Sequence, residues 1–333
     1  MSSLRIIRAT KGSKFVALGF GLLLAALVLL PSKLDMSYQI RFVDLFVLII
    51  MATMWNLLAG FGGLISVGQQ AFIGVGAYSI VFFADLRGFN ILQAIIFSAI
   101  FCGVFAFFLS FLVFRLKGGY FAIGTWVLAE IIKLFLVQIQ SLGGGSGISL
   151  AAFSDTERES RIKFVYLLAL VVLIAVLIGT FLLMRSRLGL ALTAIRDDST
   201  AASVLGVNVT SAQRTLFVLV AMGFGAAGSL ITLTNLRVQP DDIFSVNYSA
   251  IMIFIVVVGG LGTIEGPILG AILFYILQDK LRDFGSIYLI ILGITAITTV
   301  LLAPRGLWGL ITRDKISLFP TRYRILGIQK EGK

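Results

Sequence analysis

ILQAIIFSAIFCGVFAFFLSFLVF, residues 91–114, carries no charged side chain in 24 positions and stops at Arg115. About 20 predominantly apolar residues in a helix cross the hydrocarbon core of a bilayer, so this stretch reads as a membrane span. Comparable apolar runs stand at 15–30, 42–58, 71–84, 120–138, 163–184, 215–236, 248–262, 264–278 and 286–303. The expected fold is an all-α integral membrane protein of about ten transmembrane helices, forming one transmembrane domain over residues 1–333.

Composition agrees. Of the 333 residues, 59% are hydrophobic and 13% charged, whereas a soluble domain carries about 25% charged residues. Such a chain cannot cover itself with polar surface, and lipid must be its main solvent. Arg5, Arg8, Lys11 and Lys14 precede the apolar run Phe15 to Leu30, as in a signal peptide. Pro31-Ser32-Lys33 offers no small-x-small cleavage site, so the run is expected to stay as a first span.

The net charge of +11 sits at the ends of apolar runs. A nucleic-acid binder would interleave its basic residues with polar and aromatic ones on one exposed face, so no nucleic-acid partner is expected. The pattern fits loops facing anionic lipid. With the N-terminus placed in the cytoplasm, 17 of the 27 basic residues fall on the inner side. That bias predicts cytoplasmic segments at 1–14, 185–214 and 304–333, with both termini inside. The chain has no histidine, which excludes histidine relays, triads and metal sites. Its single cysteine, Cys102, lies in an apolar run and reads as a small buried hydrophobe. No metal site is expected.

Two glycine clusters interrupt apolar sequence: Gly60-Phe61-Gly62-Gly63-Leu64-Ile65-Ser66-Val67-Gly68-Gln69-Gln70 and Gly259-Gly260-Leu261-Gly262-Thr263-Ile264-Glu265-Gly266-Pro267. In transporters such breaks free backbone groups that line a cavity or bind a solute. Equally, they can be tight turns or close packing through small residues. Glu265 in the second break is either a contact for solute or partner, or a solvated turn acid. Glu130 and Lys133 stand three residues apart within a span and are expected to neutralise each other as a structural pair. Asp44 is expected near an interface, where snorkelling accommodates it.

LGLALTAIRDDSTAASVLG, residues 188–206, is the most informative loop. Leu188, Leu192 and Ile195 form one apolar stripe. Asp198 is placed to cap a second short helix, and Gly206 to end it in a left-handed conformation. Two short helices on the cytoplasmic face would make a docking surface for a soluble partner. The alternative is an amphipathic helix lying on lipid.

Within this loop, Ala201-Ala202-Ser203-Val204-Leu205-Gly206 resembles the coupling-helix motif of ATP-binding-cassette importer permeases. That motif is Glu-Ala-Ala, three residues and Gly; Thr200 stands where it has Glu. The stretch Trp55-Asn56-Leu57-Leu58-Ala59-Gly60 through Ser66-Val67-Gly68-Gln69-Gln70-Ala71-Phe72 resembles the signature of the branched-chain amino acid importer permeases. So do Ala194-Ile195-Arg196-Asp197-Asp198, Gly143-Gly144-Gly145-Ser146-Gly147-Ile148 and Gly259-Gly260-Leu261-Gly262-Thr263. The family often has Gly-His after the serine. Here Gly68-Gln69 follows it, so no histidine chemistry carries over. These ordered segments run from about residue 43 to 306, and the length with its leading span resembles the LivM-type subunit.

The resemblance implies a multi-pass permease of the bacterial inner membrane that moves branched-chain or related amino acids. It implies a second permease subunit as hetero-dimer partner, two cytoplasmic ATPases that consume MgATP, and a periplasmic solute-binding protein. It further implies that Arg196, Asp197, Asp198, Ala201, Ala202 and Gly206 couple to the ATPases. The solute path would use Gly62, Gly63, Ser66, Gln69, Gln70, Gly260 and Thr263. The chain lacks Gly-x-x-x-x-Gly-Lys-Ser/Thr, so neither catalysis nor a cofactor of its own is expected. A urea or short-amide importer permease is the nearest alternative. An ion-coupled transporter is more distant, because only Asp44 and Glu130 are candidate relay carboxylates.

Overall fold

The computed structural model describes residues 5–7, 19, 24–153, 156–281, 287–303, 306–312 and 324–326. The basic residues Arg8, Lys11, Lys14, Arg282, Arg305, Arg313, Lys315, Arg322, Lys330 and Lys333 lie outside the described residues, as does half of the run 15–30.

The long elements are helices: α1 (Met36–Asn56), α2 (Gln70–Val81), α3 (Ile91–Val113), α4 (Gly119–Val137), α5 (Arg158–Arg185), α8 (Val209–Asn235), α10 (Asn247–Gly259), α11 (Gly266–Leu281) and α12 (Ile287–Leu302). Short helices are α6 (Arg187–Asp197), α7 (Ser199–Val204), α9 (Pro240–Ile243) and α13 (Gly306–Thr312). Among the described residues, six helical segments are long and apolar enough to cross a membrane: Met36–Phe61, Ile91–Val113, Gly119–Val137, Arg158–Arg185, Val209–Asn235 and Pro240–Gly259. Together they make an all-α, multi-pass membrane protein. Two strand pairs are minor trim. β2 (Ile148–Ser149) pairs antiparallel with β3 (Arg237–Val238), and β1 (Arg5–Ile7) pairs antiparallel with β4 (Arg324–Leu326).

The core is built around α8. It packs on α3 and α2 most extensively, then on α1. Its Gly-Phe-Gly-Ala-Ala-Gly-Ser run makes this possible. A Cβ on Gly225 would meet Cys102 Sγ at 2.6 Å, and one on Gly228 would run into the Ile73 carbonyl. Between helices in lipid, close backbone approach and polar staples replace the hydrophobic effect. Two such staples are present. Ser229 Oγ reaches the Gly76 carbonyl at 3.1 Å, and Thr232 Oγ1 the Ala77 carbonyl at 3.3 Å. Cys102 is fully buried against α2, its Sγ 3.6 Å from the Phe72 carbonyl.

A Gly228→Val change should therefore destabilise the bundle by about 3 kcal/mol through forced separation of α2 and α8. Gly179, in α5, borders open space: a Cβ there would meet nothing within 4 Å. Gly179→Val is expected to stay within about 0.5 kcal/mol of the parent. Thermal unfolding in detergent checks both.

The bundle has two ends. The loop α6–α7 lies at one, the ledge end. The opposite, far end carries α9 and the loop 141–153. That loop is tied down by Asp85, whose carboxylate accepts from the Ala151 and Ala152 N–H groups at 2.9 and 2.7 Å. Helix α5 begins five residues before the apolar run 163–184, and α1 six before 42–58. Charged first turns such as Arg158–Lys163 continue the helix beyond the hydrocarbon.

Candidate functional site

The ledge is a rigid helix pair because each of its starts is capped. Ser186 Oγ accepts from Gly189 N–H at 3.4 Å and opens α6. Asp198 Oδ1 accepts from the Thr200 and Ala201 N–H groups at 2.8 and 3.0 Å and opens α7. Gly206, at φ +87°, closes α7, with Val207 N–H donating to the Ala202 carbonyl at 3.1 Å. Asn208 Oδ1 then caps α8 through Ser211 N–H. Such caps contribute about 1 kcal/mol each.

Leu192, Ile195 and Ala202 are buried against the bundle. Leu190, Val204 and Leu205 face outward, at 73%, 83% and 81% exposure. Ala202 is thus a packing residue, and the free apolar surface belongs to three residues that were not among the expected coupling residues. They fall off the buried stripe, and that offset is the signal in the sequence that could have found them.

The first glycine break starts where α1 ends in a wide π-turn, Leu57–Phe61, and the chain then runs without helix from 62 to 69. It does not stay at the ledge end. Trp55 Nε1 donates to the Ser66 carbonyl at 3.0 Å, and Ser249 Oγ shares its one proton between the Val67 carbonyl at 2.9 Å and Gln70 Oε1. Ser249 lies ten residues before the end of α10, about 15 Å along the axis. Residues 66–70 therefore sit near mid-depth of the bundle, where irregular backbone is tolerated only when buried in protein or lining a cavity. Gly68 allows this. A Cβ there would run into the Thr125 carbonyl of α4.

Around the break stands a buried polar cluster. Ser66 Oγ donates to Thr125 Oγ1 at 3.1 Å, Gln69 Nε2 to Ser66 Oγ at 2.8 Å, and Ser249 Oγ lies 2.6 Å from Gln70 Oε1. Ser66, Gln69 and Gln70 are at most 1% exposed. One amide atom of each glutamine, Gln69 Oε1 and Gln70 Nε2, has no hydrogen-bond partner among the described residues. A buried unmade hydrogen bond costs about 1–3 kcal/mol, so a native protein retains such atoms where something else satisfies them.

The second break, 260–265, lies at the ledge end against the first. Asn56 Oδ1 accepts from Gly262 N–H at 2.8 Å, and Asn56 Nδ2 donates to the Thr263 carbonyl at 2.7 Å. Thr263 Oγ1 donates to the Gly260 carbonyl at 2.8 Å and accepts from Gly266 N–H at 3.0 Å, opening α11. Gly262 and Thr263 are thus brought to Asn56 and Gly60, while Ser66, Gln69 and Gln70 stand deeper. Glu265 is 6% exposed, so it is not a solvated turn acid.

Lys133 Nζ lies 2.9 Å from Glu130 Oε2 within α4 and 3.5 Å from Asp241 Oδ1 of α9. Asp241 joins from a distant segment, which spacing within one helix could not reveal. Asp44 is not simply a snorkelling residue. It lines a cavity of about 480 Å³ at the far end, with Asp241, Asp242, Tyr248, Tyr275 and Gln278. Among the described residues no group of three or more His, Cys, Asp or Glu side chains could hold a metal ion.

A bundle of apolar helices broken at mid-depth, with a capped helix pair on one end, defines a membrane transport subunit. The chain belongs to the family described as branched-chain amino acid transport system, permease component, whose model matches residues 40–302. It is 30% identical over 289 residues to the high-affinity branched-chain amino acid transport system permease protein LivM of Escherichia coli K12, covering 79% of this chain and 68% of that protein. To the protein of the same description in Salmonella typhimurium LT2 it is 29% identical over the same shares. No solved structure matches the chain.

Proposed function

We propose that this chain is the membrane permease of an ATP-binding-cassette importer for branched-chain amino acids in a bacterial inner membrane. The observation that carries the reading is the capped ledge, whose exposed Leu190, Val204 and Leu205 offer an apolar seat and whose Arg196 is bonded to the first helix break. In this reading the ledge faces the cytoplasm and receives one of two ATPases, which bind and hydrolyse MgATP. A second permease subunit completes the path, and a periplasmic binding protein delivers solute at the far end. Both termini are cytoplasmic, and the pairing of Arg5–Ile7 with Arg324–Leu326 supports their lying on one side. The number of spans is ten when 15–30, Gln70–Leu86, Gly266–Leu281 and Ile287–Leu302 are added to the six long segments.

The buried cluster at the first break suits a zwitterion. Gln70 Nε2 is a free donor for a carboxylate, and Gln69 Oε1 a free acceptor for an ammonium group. The start of α2 adds the positive end of a helix dipole at the same depth. The cluster of Ser66, Gln69, Gln70, Thr125 and Ser249 is uncharged, so the solute leaves as readily as it enters. Uptake of labelled leucine, and separately of labelled urea, in cells with and without this chain tests the reading. Chain-dependent leucine uptake is expected; chain-dependent uptake of urea alone would reject the solute class.

A further inference from the structure

Three segments far apart in sequence meet at one guanidinium. Arg196, at the end of α6, donates through Nη1 to the Gly60 carbonyl at 3.0 Å. Its Nε and Nη2 are held by Asp197 Oδ1 at 3.1 and 2.9 Å. The side chain thus turns toward the bundle, with its outer edge neutralised by its neighbour. The wide turn after α1 prepares the acceptor. It sends the Leu64 N–H to the Leu58 carbonyl at 3.0 Å, not to Gly60, which leaves the Gly60 carbonyl open to the ledge.

The second break is locked into the same knot. Asn56 bridges to Gly262 and Thr263 by the two bonds described above, and a Cβ on Gly262 would stand 3.1 Å from Arg196 Nη1. A Cβ on Gly63 would stand 3.3 Å from Arg196 Cα. None of these contacts builds a helix. The caps at Ser186, Asp198 and Asn208 fix the ledge internally, so it can move as one body. The bonds of Arg196 and Asn56 join it to the ends of α1 and α10, two helices that line the buried polar cluster.

We propose that Arg196 is a positioning residue that latches the ledge to both helix breaks, so that movement of α6 and α7 frees Gly60 and Gly262 together and opens the path at its ledge end. This rests on the importer reading. The latch is closed in this structure, and the Gln69–Gln70 cluster is sealed above it. A charge-assisted bond in a partly buried site is strong enough to hold a gate and weak enough to be broken by a motor.

The test uses the full complex with its own ATPases in proteoliposomes. Arg196→Gln is expected to lower solute moved per ATP hydrolysed by about tenfold, the factor set by losing one hydrogen bond to a charged group. The ATPases should still copurify. Arg196→Lys, which keeps one charged donor, should recover part of the ratio. Asn56→Asp keeps the acceptor for Gly262 and loses the donor to Thr263, and should also lower the ratio. An unchanged ratio in Arg196→Gln overturns the latch, and so does loss of the ATPases, which would make Arg196 a docking residue.

Amide exchange of the unmodified complex supplies an answer even if a variant does not assemble. With a non-hydrolysable ATP analogue, exchange over 57–66 and 257–266 should rise together, at least tenfold. No rise, or a rise in one segment alone, overturns the proposal. Wild-type complex without ATP-driven uptake, but with the joint rise in exchange, counts against the importer reading and leaves the latch standing.

Discussion

Val204→Asp combined with Leu205→Asp is expected to abolish copurification of the ATPases and to reduce uptake to background, while the permease remains folded. Both side chains are more than four-fifths exposed at the tip of the ledge, so they contribute little to the fold of the isolated chain. Exposed substitutions away from special features shift stability by about 0.5 kcal/mol or less. In an interface, an apolar anchor truncated or charged at its centre costs about 2–4 kcal/mol, and two adjacent anchors lost together, about 4–8 kcal/mol, take a nanomolar contact to the micromolar range or weaker. Leu190→Asp, farther along the ledge, should weaken the association less. Pull-down from detergent, read beside the melting temperature, separates docking from folding. Ala202→Trp is a contrasting case. Ala202 is 2% exposed, so the bulky ring should lower the melting temperature first and release the ATPases only as a consequence.

Gln69→Met with Gln70→Met should separate stability from transport in the opposite sense. Each substitution removes one satisfied and one unpartnered amide atom from the buried cluster. The neighbouring serines keep other bonds, Ser66 Oγ to Thr125 and Ser249 Oγ to the Val67 carbonyl. Methionine matches the length of glutamine and fills irregular space. The melting temperature is therefore expected to hold or rise. Uptake should fall by about 100-fold if each glutamine supplies one hydrogen bond to a charged end of the solute. A variant that is more stable and less active marks groups kept for function. Unchanged uptake would remove both glutamines from the path.

Much of this architecture is legible in sequence because it is local. Each span announces itself by twenty or so apolar residues, and the ledge by Asp198 and Gly206, whose capping roles depend on neighbours two to four positions away. What stays hidden is set by tertiary distance. Nothing near Arg196 indicates that its acceptor is the Gly60 carbonyl, 136 positions earlier in the chain. The two readings of the glycine clusters, tight packing and exposed backbone, each describe a part. Gly60 and Gly262 pack face to face at the ledge end, and residues 66–70 climb to mid-depth and bring polar groups with them. Periodicity cannot tell these apart, because both are irregular stretches of equal apolarity. The apolar runs at 42 and 163 begin later than the helices α1 and α5 for a different reason. Hydropathy marks the edge of the hydrocarbon, and these helices extend beyond it through charged turns. Glu265 is ambiguous in sequence between solvent and burial, because a turn along the chain need not be a turn at the surface.

The coupling account requires the ledge to stand on the ATPase side of the membrane and to lie under the ATPases. Leu205→Cys offers a direct measurement, since the only native cysteine, Cys102, is fully buried. A membrane-impermeant maleimide should label this cysteine in inside-out vesicles stripped of ATPases, fail to label it in right-side-out vesicles, and lose access when the ATPases are restored. Labelling from the periplasmic side, or labelling unaffected by bound ATPases, would contradict the account.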